Sequence, residues 1–562
     1  MSRPDLILLH APSNYDFRTR SIVYGPISDV IPSSPIFEMY PIGFMSIAGY
    51  LEKNGVSTRI VNIANRMLTD ARFDVEGFLS KLNPLAFGID LHWLVHAQGS
   101  LELARIVNKL HPSIPVVFGG LSATYFYQEL IGYSQVDFVV RGDSAEEPML
   151  RLMQAIRNGG SLEGVPNLSW KDSSGVPHHN DLSWVPSHLD DVPLDYNYPV
   201  KSVIKYRDLS GLLPFSNWMD YPITAVFTCR GCTMNCRSCG GSRFAFKTIC
   251  NREGVAYRSP ALVAEDIYSI QRYLQGPVFI IGDIRQAGED YEEALLEAIK
   301  RRGTKGPIVL ELFAPAGDDF FRRVGEAIPH YNIQMSPESH DEEVRFAFGK
   351  HWRTVDVENT IEAAVRNNCR RFDLFFMIGL PKQDYGSVMD TVDYLDRLPR
   401  ECGGQDKVHP HISPLAPFID PGSQVFERPE EYGYRLFYRT LEEHRQASLA
   451  PAWSYMLSYE TQWLGRAEIV DVTYEAALGF NESKRLSGLI SSETAGAVAA
   501  RIKRDMGLIQ GLDRQMAEVG QAALLDEKEL CLAATVSKRE LQWPAKSFIC
   551  NMPKILWNLC RN

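Results

Sequence analysis

Short apolar runs alternate with helical segments along most of this chain, and this alternation constrains its fold more than any other feature. In the first 160 residues the runs end in Gly, Pro or polar residues, a pattern typical of buried parallel strands. The candidate strands span 6–12, 57–64, 85–90, 115–120 and 137–142. Five strand–helix units in a row predict a doubly wound, Rossmann-like α/β sheet, in which ligands bind at the carboxyl ends of the strands.

The alternation resumes after residue 222. Candidate strands span 223–228, 278–283, 308–314, 332–339, 372–381 and 409–418. Six such units predict a full or partial (β/α)6 barrel, whose active site lies at the C-terminal ends of the strands. We therefore expect four regions: a Rossmann-like domain at 1–160, a linker with a small hairpin at 161–222, the barrel at 223–425 and a mainly helical domain at 426–562.

Composition and charge argue against several classes of protein. The 562 residues carry a net charge of −11, whereas binding to nucleic acid or to anionic membranes needs a basic surface. No stretch approaches the ~18 consecutive apolar residues of a membrane-spanning helix, and the first apolar run is too short for a signal peptide. We therefore expect a cytoplasmic protein, in which the ten cysteines favour metal binding over disulfide bonds.

Four of these cysteines lie in the stretch TCRGCTMNCRSCGGS (228–242). Cys232, Cys236 and Cys239 have the spacing C-x3-C-x2-C and follow the first strand of the predicted barrel. Thiolates select zinc or iron–sulfur clusters, and three thiolates leave one iron of a four-iron cluster open to a small chelating molecule. With Cys229 included, the loop could instead form a closed zinc or electron-transfer site, although such sites usually have a longer gap between two cysteine pairs.

At this point the chain resembles the radical SAM superfamily. The similarity rests on the C-x3-C-x2-C loop and extends to YRSPALVAEDI (257–267), IGD (281–283), SPES (336–339) and MIGLP (377–381). It implies that the three cysteines hold a [4Fe–4S] cluster, that the open iron binds S-adenosylmethionine (SAM), and that reduction yields a 5′-deoxyadenosyl radical. It implies SAM contacts at Gly240, Gly241, Asp283, Glu338, Ser339, Gly379 and Pro381. Any of the polar residues among them could instead cap the helix that follows.

Two positions in the cysteine loop depart from the family pattern. Ser238 stands where the family usually has an aromatic side chain packed on the adenine, so we expect Phe244 or Phe246 to replace that contact. Cys229 lies outside the motif, and its position before Arg-Gly predicts a strand residue. A role as a substrate thiol or as a proton donor is the alternative for Cys229.

The first domain resembles the cobalamin-binding domain of cobalamin-dependent radical SAM enzymes. The similarity is carried by PIGFMSIAGYLEKNG (41–55), VVFGGLSATYF (116–126) and VDFVVRGDSAEEPMLRLM (136–153). Glycines after these strands let the backbone approach a ligand closely. The resemblance implies cobalamin contacts at Gly119, Gly120, Ser122, Gly142 and Ser144, and His10 closes the first strand where it could line the cofactor face.

Three observations leave alternatives for this domain. No G-x-G-x-x-G follows the first strand, so a dinucleotide site is a weak rival. Some relatives keep the fold and lose the cofactor, so an empty domain is the stronger one. The Asp-x-His-x-x-Gly loop that supplies a cobalt ligand in other cobalamin enzymes is absent. We therefore do not predict His92 as a cobalt ligand, and a lone His such as His10 is more often structural.

Together the resemblances imply an enzyme that cleaves SAM reductively and functionalises an unactivated carbon by methyl transfer from cobalamin. Its partners would be a small-molecule or lipid-like substrate and a low-potential electron donor such as flavodoxin or ferredoxin. Cyclisation, rearrangement, coupling or transfer of another SAM group would use the same machinery, and a cobalamin- or cluster-binding sensor without turnover is the alternative from another class.

Two features of the last 140 residues have an ordinary explanation. Cys531, Cys550 and Cys560 are irregularly spaced, which is typical of scattered buried thiols and does not favour a second cluster. The aromatic segment PAWSYMLSYETQW (451–463) could line a substrate pocket, but helix packing is the simpler interpretation.

Overall fold

A computed structural model of the chain describes residues 3–519, except 21, 26–33, 209, 211, 212, 219, 220, 273, 275 and 416. Two large sheets organise these residues, and both belong to the α/β class, so the predicted fold class is confirmed. The tail cysteines Cys531, Cys550 and Cys560 lie outside the described residues. Among the described helices, none is both long enough and apolar enough to cross a membrane.

The N-terminal sheet has seven strands in the order β2-β1-β3-β4-β5-β6-β7. Their bounds are β1 Leu6–His10, β2 Thr58–Asn62, β3 Ala86–Asp90, β4 Val116–Gly119, β5 Phe138–Val140, β6 Leu168–Lys171 and β7 Pro177–His179. The first five run parallel, whereas β6 and β7 form a hairpin that pairs antiparallel with β5. The hairpin near residues 167–180 is therefore the edge of this sheet.

Helices cover both faces of this sheet. Their bounds are α1 Gly43–Lys53, α2 Ile63–Thr69, α3 Val75–Leu79, α4 Ala97–Leu110, α5 Leu121–Tyr125, α6 Tyr127–Leu130 and α7 Glu146–Asn158, followed by α8 Tyr198–Tyr206 after the hairpin. Alternate residues of β1 enter two different cores: Leu6 and Leu8 pack with α1 and α7, whereas Ile7 and Leu9 pack with α4. This two-sided burial explains why β1 is apolar throughout.

The second sheet is a partial barrel of six parallel strands in the order β8-β11-β12-β13-β14-β15. The strands are β8 Thr224–Phe227, β11 Val278–Ile281, β12 Ile308–Leu312, β13 Tyr331–Glu338, β14 Arg371–Ile378 and β15 Val408–Pro414. The surrounding helices are α9 Arg243–Cys250, α10 Pro260–Gln271, α11 Glu289–Arg302, α12 Asp318–Ala327, α13 Glu342–Phe348, α14 Thr354–Arg366 and α15 Tyr385–Glu401. Just beyond β8, the two-residue strands β9 Cys229–Arg230 and β10 Ala256–Tyr257 pair antiparallel.

The described C-terminal part is mainly helical. It comprises α16 Gln424–Glu427, α17 Leu441–Ala447, α18 Trp453–Met456, α19 Arg466–Leu486 and α20 Ser492–Val519, with a hairpin of β16 Tyr434–Leu436 and β17 Tyr459–Thr461. It also packs on the first domain, because the Trp453 N–H donates to the Val23 carbonyl over 2.9 Å. The buried Trp453 indole donates to the Tyr474 hydroxyl (2.9 Å), so this part of the aromatic segment is packing.

Candidate active site

A cavity of about 1120 Å³ joins the two sheets. Its wall includes residues at the carboxyl ends of β3, β4 and β5, the cysteine loop, and inward-facing residues of the barrel strands. Parallel α/β sheets place ligands at these strand ends. The two domains therefore present their ligand-binding edges to one shared space.

The cysteine loop forms the centre of this wall. The side chains of Cys232, Cys236 and Cys239 all line the cavity and are partly exposed to it. Backbone N–H groups already point at two of the sulfurs, from Met234 to Cys232 Sγ and from Gly241 to Cys239 Sγ, each over 3.3 Å. Among the described residues, no three His, Cys, Asp or Glu side chains are arranged to hold a single metal ion. The proposal that the three thiols bind a cluster rests on their spacing and on the cavity they share.

Without a metal ion, burial favours the protonated form of these three thiols. Burial raises the pKa of Cys232 to about 12 and also raises the pKa values of Cys236 and Cys239. The ammonium of Lys350 partly opposes this shift at Cys236. A metal's positive charge would hold such thiols in the thiolate form. Three soft donors around one space, with no fourth thiolate from the motif, fit a [4Fe–4S] cluster that keeps one iron open.

Cys229 contributes a fourth sulfur to the same wall. It pairs with Tyr257 in the β9–β10 ladder, and its Sγ lies 3.8 Å from Nε2 of Gln286. Burial raises its pKa to about 11. Cys229 is therefore a strand residue that also faces the cavity.

The residues expected to contact SAM fall into two groups. Gly241 and Glu338 line the cavity, whereas the others lie behind its wall: Gly240, Asp283, Ser339, Gly379 and Pro381. Gly240 is held by a residue of the cavity wall. Its N–H donates to Oδ2 of Asp420 over 2.9 Å, and Asp420 lines the cavity.

The polar residues behind the wall hold its turns in place. Asp283 accepts hydrogen bonds from Nε of Arg285 (2.9 Å) and from the Phe313 N–H (2.8 Å). The Ser339 hydroxyl accepts the Asp341 N–H at the start of α13 (3.1 Å). Asp283 also accepts the Arg285 N–H and so caps the short helical turn Ile284–Ala287, which is the alternative that the sequence left open. Asp341, not Ser339, caps α13.

Hydrogen bonds also hold the MIGLP turn (377–381) in place. The Gly379 carbonyl accepts the Tyr434 hydroxyl over 2.7 Å, and its N–H donates to Gln383 over 2.8 Å. Gly379 has a φ of +92°, and a Cβ there would lie 2.6 Å from the Tyr459 hydroxyl, so only glycine fits.

Glu338 and Lys350 form a buried pair on the cavity wall. The Lys350 ammonium hydrogen-bonds the Glu338 carboxylate and donates to the Ser336 carbonyl over 2.5 Å. Burial raises the pKa of Glu338, although Lys350 opposes the shift, and Oε2 of Glu338 has no partner among the described residues. Glu338 adopts a φ of +71°, a strained conformation for a non-glycine residue. Such strain is typical of functional sites.

The structure separates the two candidate adenine contacts. Phe246 lines the cavity, and its ring lies 3.9 Å from the place where a Cβ on Gly241 would be. Phe244 does not line it and instead lies under the guanidinium of Arg428. Ser238 lines the cavity, and its buried hydroxyl has no hydrogen-bond partner among the described residues.

The cavity also enters the core of the first domain between the sheet and α1. Leu8, Phe44 and Val117 line this part, and Gly119, Gly120 and Gly142 lie at its rim. A Cβ on Gly119 would meet nothing closer than 3.6 Å, so that glycine leaves open space. The resemblance implies cobalamin contacts at these three glycines, and the open recess leaves room for such a ligand.

The other three expected cobalamin contacts do not line the cavity: His10, Ser122 and Ser144. His10 Nδ1 lies 2.9 Å from Asp90, and its Nε2 lies 3.0 Å from the Phe37 carbonyl. Both partners are acceptors, so the ring donates twice as an imidazolium. Burial opposes protonation of His10, but Asp90 outweighs it, and the His10 pKa lies above its usual value. The Ser122 hydroxyl donates to the carbonyl of His92 (3.1 Å), whose imidazole does line the cavity.

Two arginines tie the cysteine loop to the first domain. Arg230 donates through Nη1 to Glu146 Oε2 (2.9 Å) and to the Ser144 hydroxyl (3.0 Å). Arg252 pairs with Asp143, with one bond from Nη2 to Oδ1 of 3.1 Å. These contacts, which we call the arginine clamp, fix the RGDSAEE turn directly above the cluster loop.

Sequence reasoning missed the residues of the clamp and three charged residues on the cavity wall. The clamp had a signal, since Arg230 and Glu146 carry opposite charges in two motifs expected at facing strand ends. The sequence also carried a signal for Glu311, because a carboxyl inside the apolar run IVLELFA is unusual for a buried strand. The sequence carried no signal for Lys350 or Asp420, because both residues lie in loops.

The fold and site define a class: a cobalamin-type α/β domain set over the thiol-lined mouth of a partial barrel. A family model described as "B12 binding domain" matches residues 30–150, and one described as "Radical SAM superfamily" matches residues 226–395. The chain belongs to the cobalamin-dependent radical SAM enzymes, whose cofactors are cobalamin, a [4Fe–4S] cluster and SAM.

Individual relatives are distant. Cytidylyl-2-hydroxyethylphosphonate methyltransferase from Streptomyces wedmorensis is 22% identical over 466 residues, covering 73% of this chain and 84% of the relative. The methyltransferase TsrM from Kitasatospora setae, solved with cobalamin and a [4Fe–4S] cluster, superposes with a TM-score of 0.57 at 14% identity, covering 85% of this chain and 89% of that one. OxsB, solved with aqua-cobalamin and SAM, superposes with a TM-score of 0.58 at 12% identity, covering 100% of this chain and 80% of that one. These structural likenesses concern the fold.

Proposed function

We propose that this enzyme methylates an unactivated carbon of a small molecule. The observation that carries the proposal is the single cavity that joins the three thiols of the cysteine loop to the glycine-rimmed recess of the first domain. When bound, the cluster would cleave SAM to a radical that abstracts hydrogen from the substrate, and methylcobalamin would supply the methyl group. Two of the relatives are named as methyltransferases, which favours this reaction over rearrangement.

The chain's own residues bind and orient the cofactors in this proposal. Cys232, Cys236 and Cys239 hold the cluster. Gly241 and Glu338 face SAM, and Phe246 takes the place of the missing aromatic residue beside the adenine. The expected SAM residues behind the wall position its turns: Gly240, Asp283, Ser339, Gly379 and Pro381.

In the first domain, Gly119, Gly120 and Gly142 let the backbone approach cobalamin closely. The remaining expected residues act as positioning groups in this proposal. His10 and Ser122 fix the backbone at Phe37 and His92, and Ser144 joins the arginine clamp. The domain boundaries at residues 222 and 425 are part of the same proposal, whereas the sheet of the first domain continues beyond residue 160 to β7.

Product analysis of the reconstituted protein tests the proposal. Anaerobic protein loaded with iron, sulfide and cobalamin and given a strong reductant should release 5′-deoxyadenosine from SAM. Formation of S-adenosylhomocysteine alongside it supports methyl transfer, whereas its absence in the presence of turnover supports rearrangement. Cys236→Ala should lose iron, and Cys402→Ala, a buried thiol outside the cavity, should keep it. No 5′-deoxyadenosine, together with unchanged iron in Cys236→Ala, would overturn the proposal.

A further inference from the structure

The interior of the barrel is unusually apolar. Alternate residues of three strands line the cavity, and on β11 the intervening Val278 and Ile280 pack outward against the helices. On β8, Thr224 also lines the cavity. The inward residues are Ala225 and Phe227 on β8, Phe279 and Ile281 on β11, and Phe375 and Met377 on β14. The interior below the thiols is therefore a wall of aromatic, aliphatic and thioether surface.

The segment before the barrel extends this wall. Phe215 is buried against Ile223, and Trp218 and Phe279 pack on the same cluster. The Trp218 indole N–H already donates to the Ile223 carbonyl over 2.9 Å. Trp218 thus offers the cavity only the apolar part of its ring.

The charged groups on the cavity wall are paired within the protein. Glu146 pairs with Arg230, and Glu338 pairs with Lys350. Likewise, Asp143 pairs with Arg252, and Asp90 with His10. An ionised ligand buried without a counter-charge costs several kcal/mol. Among the described residues of the wall, no cation is left to meet an anionic substrate.

The two remaining carboxyl groups on the wall have no cationic partner among the described residues. Glu311 accepts the Gly282 N–H, and Asp420 accepts the Gly240 N–H, each over 2.9 Å. A cationic group of a ligand could meet either carboxyl, so the charges on the wall argue against anionic substrates only.

Gln334 is a neutral polar residue on the barrel wall, as are Thr224 and Ser336. Gln334 pairs with Glu311 across β12 and β13 and lines the cavity. Its side-chain amide makes no hydrogen bond to any described residue. A primary amide can both donate and accept, so it matches a hydroxyl or carbonyl group.

We propose that the substrate is a largely apolar molecule without phosphate or carboxylate groups that occupies the barrel interior and presents a hydroxyl or carbonyl group to Gln334. The inference rests on the proposed function, since it names the substrate class of the same site. An apolar molecule gains by burial against this wall, and its single polar group satisfies the amide that the protein leaves unpaired. A phosphorylated or carboxylated substrate would find no counter-charge there.

Isotope transfer identifies the substrate class. The holoenzyme is incubated with [methyl-2H3]SAM and with metabolite extracts of the source cells, divided into a neutral organic-solvent pool and a water-soluble pool. We expect the deuterated methyl group in compounds of the neutral organic pool. Label in phosphorylated or carboxylated compounds of the water-soluble pool would overturn the substrate inference and leave methyl transfer intact. If SAM is never cleaved, the proposed function itself fails, so the two failures are distinguishable.

A binding measurement tests the wall without turnover. Nile red, a neutral apolar dye with a carbonyl group, should bind saturably to the cobalamin-loaded holoenzyme. Phe279→Glu should weaken this binding at least about tenfold, whereas the matched Leu486→Glu, on an exposed site of α19, should not. Gln334→Leu, a milder change, should lower kcat/KM for the labelled substrate about 10- to 100-fold. Equal dye binding by Phe279→Glu, or full activity of Gln334→Leu, would contradict the proposal.

Discussion

The arginine clamp should carry much of the stability of the interface between the two domains, and Glu146→Ala tests this. Glu146 is buried and accepts bonds from both Arg230 and the Ser46 hydroxyl, the latter over 2.6 Å. The substitution leaves the Arg230 guanidinium, which is only 13% exposed, without its counter-ion. Removing one member of a buried ion pair costs about 3–5 kcal/mol. At about 1.4 kcal/mol per factor of ten, the opening equilibrium should rise about 100- to 4000-fold.

Hydrogen exchange at neutral pH measures this opening directly. Backbone amides in residues 141–147 and 229–233 exchange when the interface opens, so their rates should rise by the same factor. Glu253→Ala is the matched control, because its pair with Lys247 is exposed and contributes about 0–1 kcal/mol. The double variant Glu146→Met/Arg230→Met should recover most of the loss, since no buried charge remains unpaired. Exchange that rises less than threefold in Glu146→Ala would refute the role of the clamp.

The clamp also predicts a pH dependence. Burial raises the pKa of Glu146, but Arg230 outweighs it, so the folded-state pKa lies below the ordinary 4.5. The stabilisation is therefore complete above pH 4.5 and is lost as the pH falls through the lower folded-state value. Acid should open the wild-type interface, whereas Glu146→Gln should already be weakened at neutral pH and respond less to acid.

Further substitutions test individual parts of the site. Cys229→Ser should keep the iron content and the cluster's electron paramagnetic resonance spectrum, whereas Cys236→Ser should lose both; iron loss in Cys229→Ser would instead indicate a four-thiolate site. Gly120→Ala should abolish cobalamin retention during gel filtration, because φ is +114° and the new Cβ would lie 2.6 Å from the His92 backbone. Gly55→Ala, with a φ of +76° but open space around it, should cost only about 1 kcal/mol of stability and keep cobalamin; equal loss in both variants would count against a specific role for Gly120.

The parallel strands of both sheets could be predicted because each is a short apolar run between clear helical segments. The six barrel strands appear at the expected places in the chain and in the expected order. The cysteine loop could also be predicted, because its three thiols lie within eight residues and follow a strand. These are local patterns, and local patterns survive in the sequence.

Contacts between distant segments could not be predicted from local patterns. Asp283 and Ser339 end strands as expected, but their side chains turn away from the cavity to bond Arg285 and Asp341. Strand position alone does not fix that direction. Residues 189–197 form neither helix nor strand, yet Tyr196 donates to the Ala225 carbonyl over 3.0 Å inside the barrel region. Irregular backbone of this kind is positioned by tertiary packing, which no local pattern encodes.

The bracing of the first domain by the C-terminal segment has a consequence for how the chain folds during synthesis. Tyr125 donates to Glu427 and Tyr133 to Glu442, partners that lie 302 and 309 positions later in the chain. At about 5–20 residues per second, the ribosome needs roughly 15–60 s to make that intervening length. The first domain must therefore fold early and keep an aromatic face uncovered throughout this interval. Expression with abundant chaperones should therefore increase the soluble yield of this protein.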